Sequence, residues 1–175
     1  MMGIEQFDAI QGKQINVNTG SGIGELEPSG MVYSNFASTA NVSTGETDLG
    51  SYIIAANSMP ASSGKAVRVM AWGKMAANGN NKTITIKFGA KVVATHALAA
   101  TNDKDWVLKA TIIQGTTGAQ TSLGELKLEG ASQDLQLIDT PAETETGAIV
   151  VACYGTSGTA SADILLKGMT VEFLN

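Results

Sequence analysis

From residue 46 to the C-terminus, short apolar or alternating runs recur between clusters of Gly, Asn, Ser and Pro. That punctuation is the pattern of a β-sandwich or barrel. Eight runs read as strands: Ser51–Ala56, Lys65–Lys74, Lys82–Phe88, Lys91–Leu98, Trp106–Gln114, Gly124–Glu129, Ala148–Tyr154 and Ala162–Leu174, the last bulged or broken near Gly168. Side chains on a strand point alternately to its two faces, so the residues declare their sides. Ile84, Ile86 and Phe88 face inward, with Thr83, Thr85 and Lys87 outward. Trp106, Leu108, Ala110 and Ile112 share one face, and Leu126 and Leu128 point inside. "ATHALAATNDKDW" contains helix formers but lacks the i, i+3, i+4, i+7 apolar spacing of a buried helix.

Two runs break the alternation. "AIVVACY" is apolar on both faces, as is much of "ILLKGMTVEFL". In an antiparallel sandwich such strands imply that something covers the outside, a second layer or another subunit. Eight antiparallel strands without a helical layer predict two packed sheets, and the version that limits exposed edges is the jelly roll. The expected fold is all-β, an antiparallel jelly-roll β-sandwich over residues 46–175.

Residues 1–45 differ. They are rich in Gly, Ser, Thr and Asn, and their apolar residues come singly or in pairs. Alone, such a segment buries too little to offset its ordering entropy. It is expected to be an extended N-terminal arm, docked through isolated anchors among which Phe7, Ile15, Val17, Tyr33 and Phe36 stand out.

Composition sharpens this picture. Charged residues make up 15% of the chain, against about 25% in a typical domain, which suits a subunit whose faces meet neighbours. The net charge is −5 and the eleven basic residues are scattered. Phosphate neutralisation needs them clustered, so no direct nucleic-acid contact is expected. No apolar run approaches the roughly 18 residues that span a bilayer, and the first residues lack the basic and apolar regions of a signal peptide. The expectation is a chain folded in a cytoplasm, without a membrane partner.

The candidate chemistry is sparse. Cys153 is the sole cysteine, inside an apolar run, and reads as a small buried hydrophobe. His96, the one histidine, has no G-x-S-x-G elbow to serve, and "NTGSGIG" follows no strong strand and opens no helix. Asp103 and Asp105 lack the remaining calcium-loop spacing. The stretch Asp134–Glu145, which includes Asp139, could pair carboxylates for glycoside cleavage, but reads equally well as a polar connection. Trp72, Trp106 and Tyr154 could stack on sugar rings where exposed or plug the core where buried. Cysteine and histidine are too few for zinc. No catalytic residue, cofactor or metal is expected.

The run "AVRVMAWGKMAANGNNKTITIKFGAKVVAT", Ala66 to Thr95, resembles a recurrent pattern in small structural proteins of tailed bacteriophages. There a strand ending in "AWG" leads through an Asn/Ala loop into an alternating strand ending in "FG". "DWVLKATIIQG" and the closing apolar strand fit as well, so the likeness spans roughly residues 50 to 174. It implies a jelly-roll module of a virion, of the capsid decoration (cement), head-fibre or tail-fibre type, commonly trimeric. The leading expectation is a decoration protein that bridges major capsid subunits as a symmetric homotrimer, with the arm on the shell or an adjacent subunit. Val150, Ala152, Tyr154, Leu165 and Val171 would form the oligomer face. The alternative is a tail or baseplate protein that contacts a host glycan through Trp72, Asn78, Asn80 and Asn81.

Overall fold

Alternation in sequence becomes alternation in burial. The computed structural model describes residues 16–18, 23–25, 30–98, 103–131, 134–138, 141–159 and 162–174. Its strands are β1 (Asn16–Asn18), β2 (Ile23–Glu25), β3 (Gly30–Asn35), β4 (Thr39–Ala40), β5 (Thr47–Ile54), β6 (Ala66–Met75), β7 (Lys82–Phe88), β8 (Lys91–Leu98), β9 (Asp105–Gln114), β10 (Gln120–Leu128), β11 (Asp134–Ile138), β12 (Ile149–Ser157) and β13 (Ile164–Leu174). Ile84, Ile86 and Phe88 are fully buried, as are Ala110 and Ile112, while Trp106 and Leu108 retain 1% exposure. Leu126 is buried, and Leu128 packs at the margin of the core.

The strands form two antiparallel sheets. The larger runs β11-β10-β9-β6-β13-β3, with β4 also pairing β13, and the smaller runs β5-β12-β7-β8. Without β4 and the β10–β11 hairpin, the sheets are β3-β13-β6-β9 and β5-β12-β7-β8. Chain connections then pass between the sheets as in a jelly roll, which carries two Greek keys. Val67, Val69, Leu108, Ile112, Leu166, Met169, Val171 and Phe173 from the larger sheet meet Leu49, Ile54, Ile84, Ile86, Phe88, Val151 and Cys153 from the smaller in one core. β1 and β2 pair only with each other.

Eight strands are therefore right in number for the jelly roll, but one member differs. The first strand is β3, within the stretch expected to be an arm. It pairs with β13 from Met169↔Asn35 to Phe173↔Gly30. Tyr33 packs against the core, its ring 5.2 Å from that of Tyr52 on β5, so it ties one sheet to the other. Asn41 is buried, donates to Ser157 Oγ (2.8 Å) and accepts the Ile164 N–H (2.8 Å). Residues 30–45 thus belong to the sandwich. Phe7 and Ile15 lie outside the described residues, and so does the side chain of Val17.

The acidic stretch supplies another correction. Its first part is β11, an edge strand paired with β10 from Leu126↔Asp134 to Ser122↔Ile138. Two of the expected oligomer-face residues are covered within the protomer. Val171 has no exposure, because it lies in phase with the inward Met169 and Phe173. Ala152, 1% exposed, is a small side chain between Ser51 and Lys87 on the flanking strands. The expected break in the last strand is a register shift between Leu166 and Gly168.

Candidate functional site

The outer face of the larger sheet carries an aromatic cleft built by β6, β9, β10 and β13. On β6 the inward residues Val67, Val69, Ala71 and Met75 are buried, which leaves Arg68, Met70, Trp72 and Lys74 on the outside. Trp72 stands opposite Gly168 on β13 and Val107 on β9, and Val107 stands opposite Lys127 on β10. The indole of Trp72 lies over Gly168 so closely that any Cβ there would overlap the ring. A side chain at 168 would hold the indole off the sheet. The bulge beside it leaves Lys167 exposed. Phe36, just beyond β3, is 67% exposed, and its ring centroid sits 5.8 Å from that of Trp72 with the planes at 54°.

The result is an open cleft of about 460 Å³ lined by Trp72, Gly73, Asp105, Trp106, Val107, Lys127, Glu129 and Lys167. Its floor is aromatic and aliphatic, and its walls carry two cations and two carboxylates. Such a surface accepts a ligand with one apolar face and a polar periphery, since an amphipathic aromatic offers area at low ordering cost. Glu129 does not stand free, because its carboxylate accepts the Asp105 N–H at 3.2 Å. Trp106 is the core plug of the pair, 1% exposed and reaching the cleft only beside Gly73.

Of the glycan contacts expected from sequence, Trp72 lies in this cleft and the asparagines do not line it. The loop between β6 and β7 is closed on itself. Asn78 donates to Asp163 Oδ1 (2.5 Å) and accepts from Lys82 Nζ (2.9 Å). Asn80 donates to Asp163 Oδ2 (2.9 Å) and Thr159 Oγ1 (3.1 Å). Lys82 also donates to the Asn78 and Asn80 carbonyls at 3.1 and 3.0 Å. Asp163 is buried and Lys82 has no exposure at all. Charges taken out of water must find partners of this kind, so these asparagine amides serve the loop. Asn81 is exposed, with its carbonyl accepting the Gly158 N–H. Lys82 shares the phase of Ile84 and Ile86, and that is the signal in the sequence that the loop would have to wrap a buried ammonium.

The remaining reactive candidates are held in structural roles. Cys153 is fully buried, and burial, with Asp48 adding to it, pushes its thiol up to about 12; such a thiol is inert at neutral pH. His96 Nδ1 meets Asp134 Oδ2 at 3.0 Å on the sandwich surface. Asp103 pairs with Lys74 at 2.9 Å, and its hydrogen bond and charge raise the lysine above its ordinary value. Asp105 reaches the cleft rim, while Asp139 lies outside the described residues. Glu143 accepts the Ala90 N–H at 2.9 Å and its backbone joins Gln120 in two hydrogen bonds. Glu145 accepts the Gly118 N–H at 3.0 Å, which holds its carboxyl below the usual range. Among the described residues, no group of three His, Cys, Asp or Glu side chains stands together as metal ligands.

Of the residues assigned to contacts with other chains, Val150 is 41% exposed on the outer face of the smaller sheet, with Tyr154 half-buried on the same face. Leu165 is half-buried on the outside of β13. Val107, Lys127, Lys167 and Gly168 were not legible as a group, because cross-strand register brings them to Trp72, and Phe36, expected as an arm anchor, meets the ring from beyond the end of β3.

No protein-family model and no curated protein sequence matches the chain. Among solved structures, it is similar to the CBM2 module of the evolved Dit of Lactobacillus casei BL23 phage J-1. The identity is 14%, the match covers 70% of this chain and 67% of that one, and the TM-score is 0.39. A likeness of that size assigns neither a family nor a ligand.

Proposed function

We propose that the chain is a non-enzymatic component of a bacteriophage virion that binds a glycan in the Trp72 cleft. The observation that supports it best is the half-buried indole packed against Gly168 on the outer face, with Phe36 beside it and charged side chains around it. A pyranose ring has the matching anatomy, an apolar C–H face and a rim of hydroxyls that both donate and accept. The phage assignment draws on the "AWG…KTITIKFG" resemblance, and a tail or baseplate position accords with a glycan-binding face. In the cleft the Glu129 carboxylate is tied to the Asp105 N–H, which favours binding without turnover.

The test is retention of the purified protein on an array of bacterial polysaccharides, beside Trp72→Ala. An anchoring tryptophan carries about 2 kcal/mol, so the variant should bind about 30-fold more weakly with its β circular dichroism unchanged. Equal binding by the two proteins, or release of reducing ends from a bound polysaccharide, would overturn the reading.

A decoration role keeps one observation in its favour. Ile53, 63% exposed, stands opposite Val150 on the outer face of the smaller sheet, an apolar pair suited to a second copy in a closed ring. Copy number per particle separates the readings, hundreds for a shell protein and far fewer for a tail component. Deleting residues 1–29 should abolish shell attachment under the decoration role and leave glycan binding intact under the other.

A further inference from the structure

Resting on the glycan-binding reading, we propose that the ligand is an uncharged linear oligosaccharide segment that runs along β6 and β9 into a second subsite beyond Trp72. On the same sheet face lies another hollow, of about 350 Å³. Its residues continue the rows of the first. Met70 precedes Trp72 on the outer side of β6 and stands opposite Lys109 on β9 and Thr170 on β13, while Lys109 stands opposite Glu125 on β10. Two residues along a strand is about 7 Å, a step that brings the next part of a sugar chain over Met70. The two hollows follow one another in the strand direction, in successive rows of the same face, which suits an internal stretch of polymer.

The charges in the two hollows favour a neutral chain. Lys127 and Lys167 face Asp105 and Glu129 in the first hollow, and Arg68 and Lys109 face Glu125 and Glu172 in the second. Each hollow thus holds two cations and two anions, and those of the second are joined in ion pairs. Lys109 meets Glu125 at 2.5 Å and Arg68 meets Glu172 at 3.4 Å. A phosphate or uronate polymer would need a surplus of cations. A hydroxyl both donates and accepts, and a row of ion pairs offers both functions with no net field. Met70 and the exposed Met31 extend the apolar floor from Trp72.

The experiment is calorimetric titration of the intact protein with neutral gluco-, galacto- and chito-oligosaccharides from single sugars to hexamers, and with oligogalacturonate and glycerol-phosphate oligomers. Each is run at about 0.05 and 0.5 M salt, where screening lengths differ severalfold. The expected result is an affinity for one neutral series that climbs about tenfold with length and then levels off, indifferent to salt. Met70→Ala combined with Lys109→Ala should erase the gain with length and keep the affinity for the shortest binder, whereas Trp72→Ala should remove both. Equal affinity at every length, or binding confined to the anionic oligomers and lost in salt, would overturn the inference and leave a glycan-binding cleft standing. If none of these oligomers binds, the inference falls; if the polysaccharide array is also blank, the glycan reading falls with it.

Discussion

The two outer faces of this sandwich share one core and differ in almost everything else. On the larger sheet the centre of the outer face carries long charged residues, Arg68, Lys109, Glu125, Lys127 and Glu172, around the rings of Trp72 and Phe36, while Ile113, Leu123 and Leu135 are bare toward one side. The smaller sheet shows short side chains, Ser51, Thr83, Thr85, Thr95 and Ala152, with Ile53, Val150 and Val92 left bare among them. On its outer side Lys87 pairs with Glu46, the lysine also lying 4.8 Å from the Tyr154 ring. Inward positions along the middle of both sheets obey the same rule, since they fill the common core, and polar residues such as Lys82, Gln114 and Gln120 take the buried positions at the strand ends. Outward positions escape that constraint, so their chemistry reflects what the surface meets. A hollow with paired charges fits a hydrated ligand, and a flat field of small residues with apolar spots fits another protein surface.

The sharpest way to break the contrast is to fill position 168. Gly168→Val forces the indole of Trp72 off the sheet and overpacks the outer face. It should cost about 1–3 kcal/mol in urea unfolding, shift the tryptophan emission and reduce glycan binding about 30-fold. A variant that keeps full binding would show that the indole seated on Gly168 is not what the cleft uses. Next comes Val150→Glu, which puts a charge in the apolar pair of the other face. Any self-association through this face should collapse to monomer in light scattering, with glycan affinity changed by less than about twofold because the two faces are separated by the core. Loss of glycan binding in that variant would mean the faces are not independent.

The smallest effect concerns the loops that close both sheets. Glu145 is held below its usual range by the Gly118 N–H, so its stabilising contribution is complete above the unfolded value of about 4.3 and fades as pH falls through the lower folded value. Urea midpoints measured from pH 7 to pH 3 should therefore drop more steeply for the wild type than for Glu145→Gln, with the difference confined to the acid side. Parallel curves would remove Glu145 from the account.

How much of this was legible in the residues depends on whether local pattern or distant pairing decides. β7 and β8 match their expected bounds, because alternation in "KTITIKF" and the glycine turn after it are local. β3 escaped notice because "GMVYSN" has no clean alternation. It becomes a strand by lying against β13, more than a hundred residues away in sequence. β11 was hidden by the polar residues Asp134 and Gln136 in its short sequence, and it becomes a strand by pairing with β10 at the edge of the sheet. The jelly roll was recoverable since its two-sheet logic needs only the count and spacing of strands. Of the cleft, Trp72, beside Gly73 near a strand end, was recoverable as an outward ring, whereas Trp106 and Asp105 were singled out without sign of the wall they share. The asparagines were misplaced because polar loop residues suggest solvent until the buried ammonium of Lys82 is taken into account.

That caged ammonium also bears on how the neighbouring surface would behave in a calorimeter. Trp72 sits six residues before Asn78, on a strand whose exit is clamped by Lys82, Asn78, Asn80 and Asp163. A corner so tightly tied fixes the end of the strand that carries the ring, and preorganisation of that sort lowers the entropic toll of complex formation. Less of the heat released is then offset by ordering of the protein itself, and encounter should need little rearrangement of the backbone to become capture.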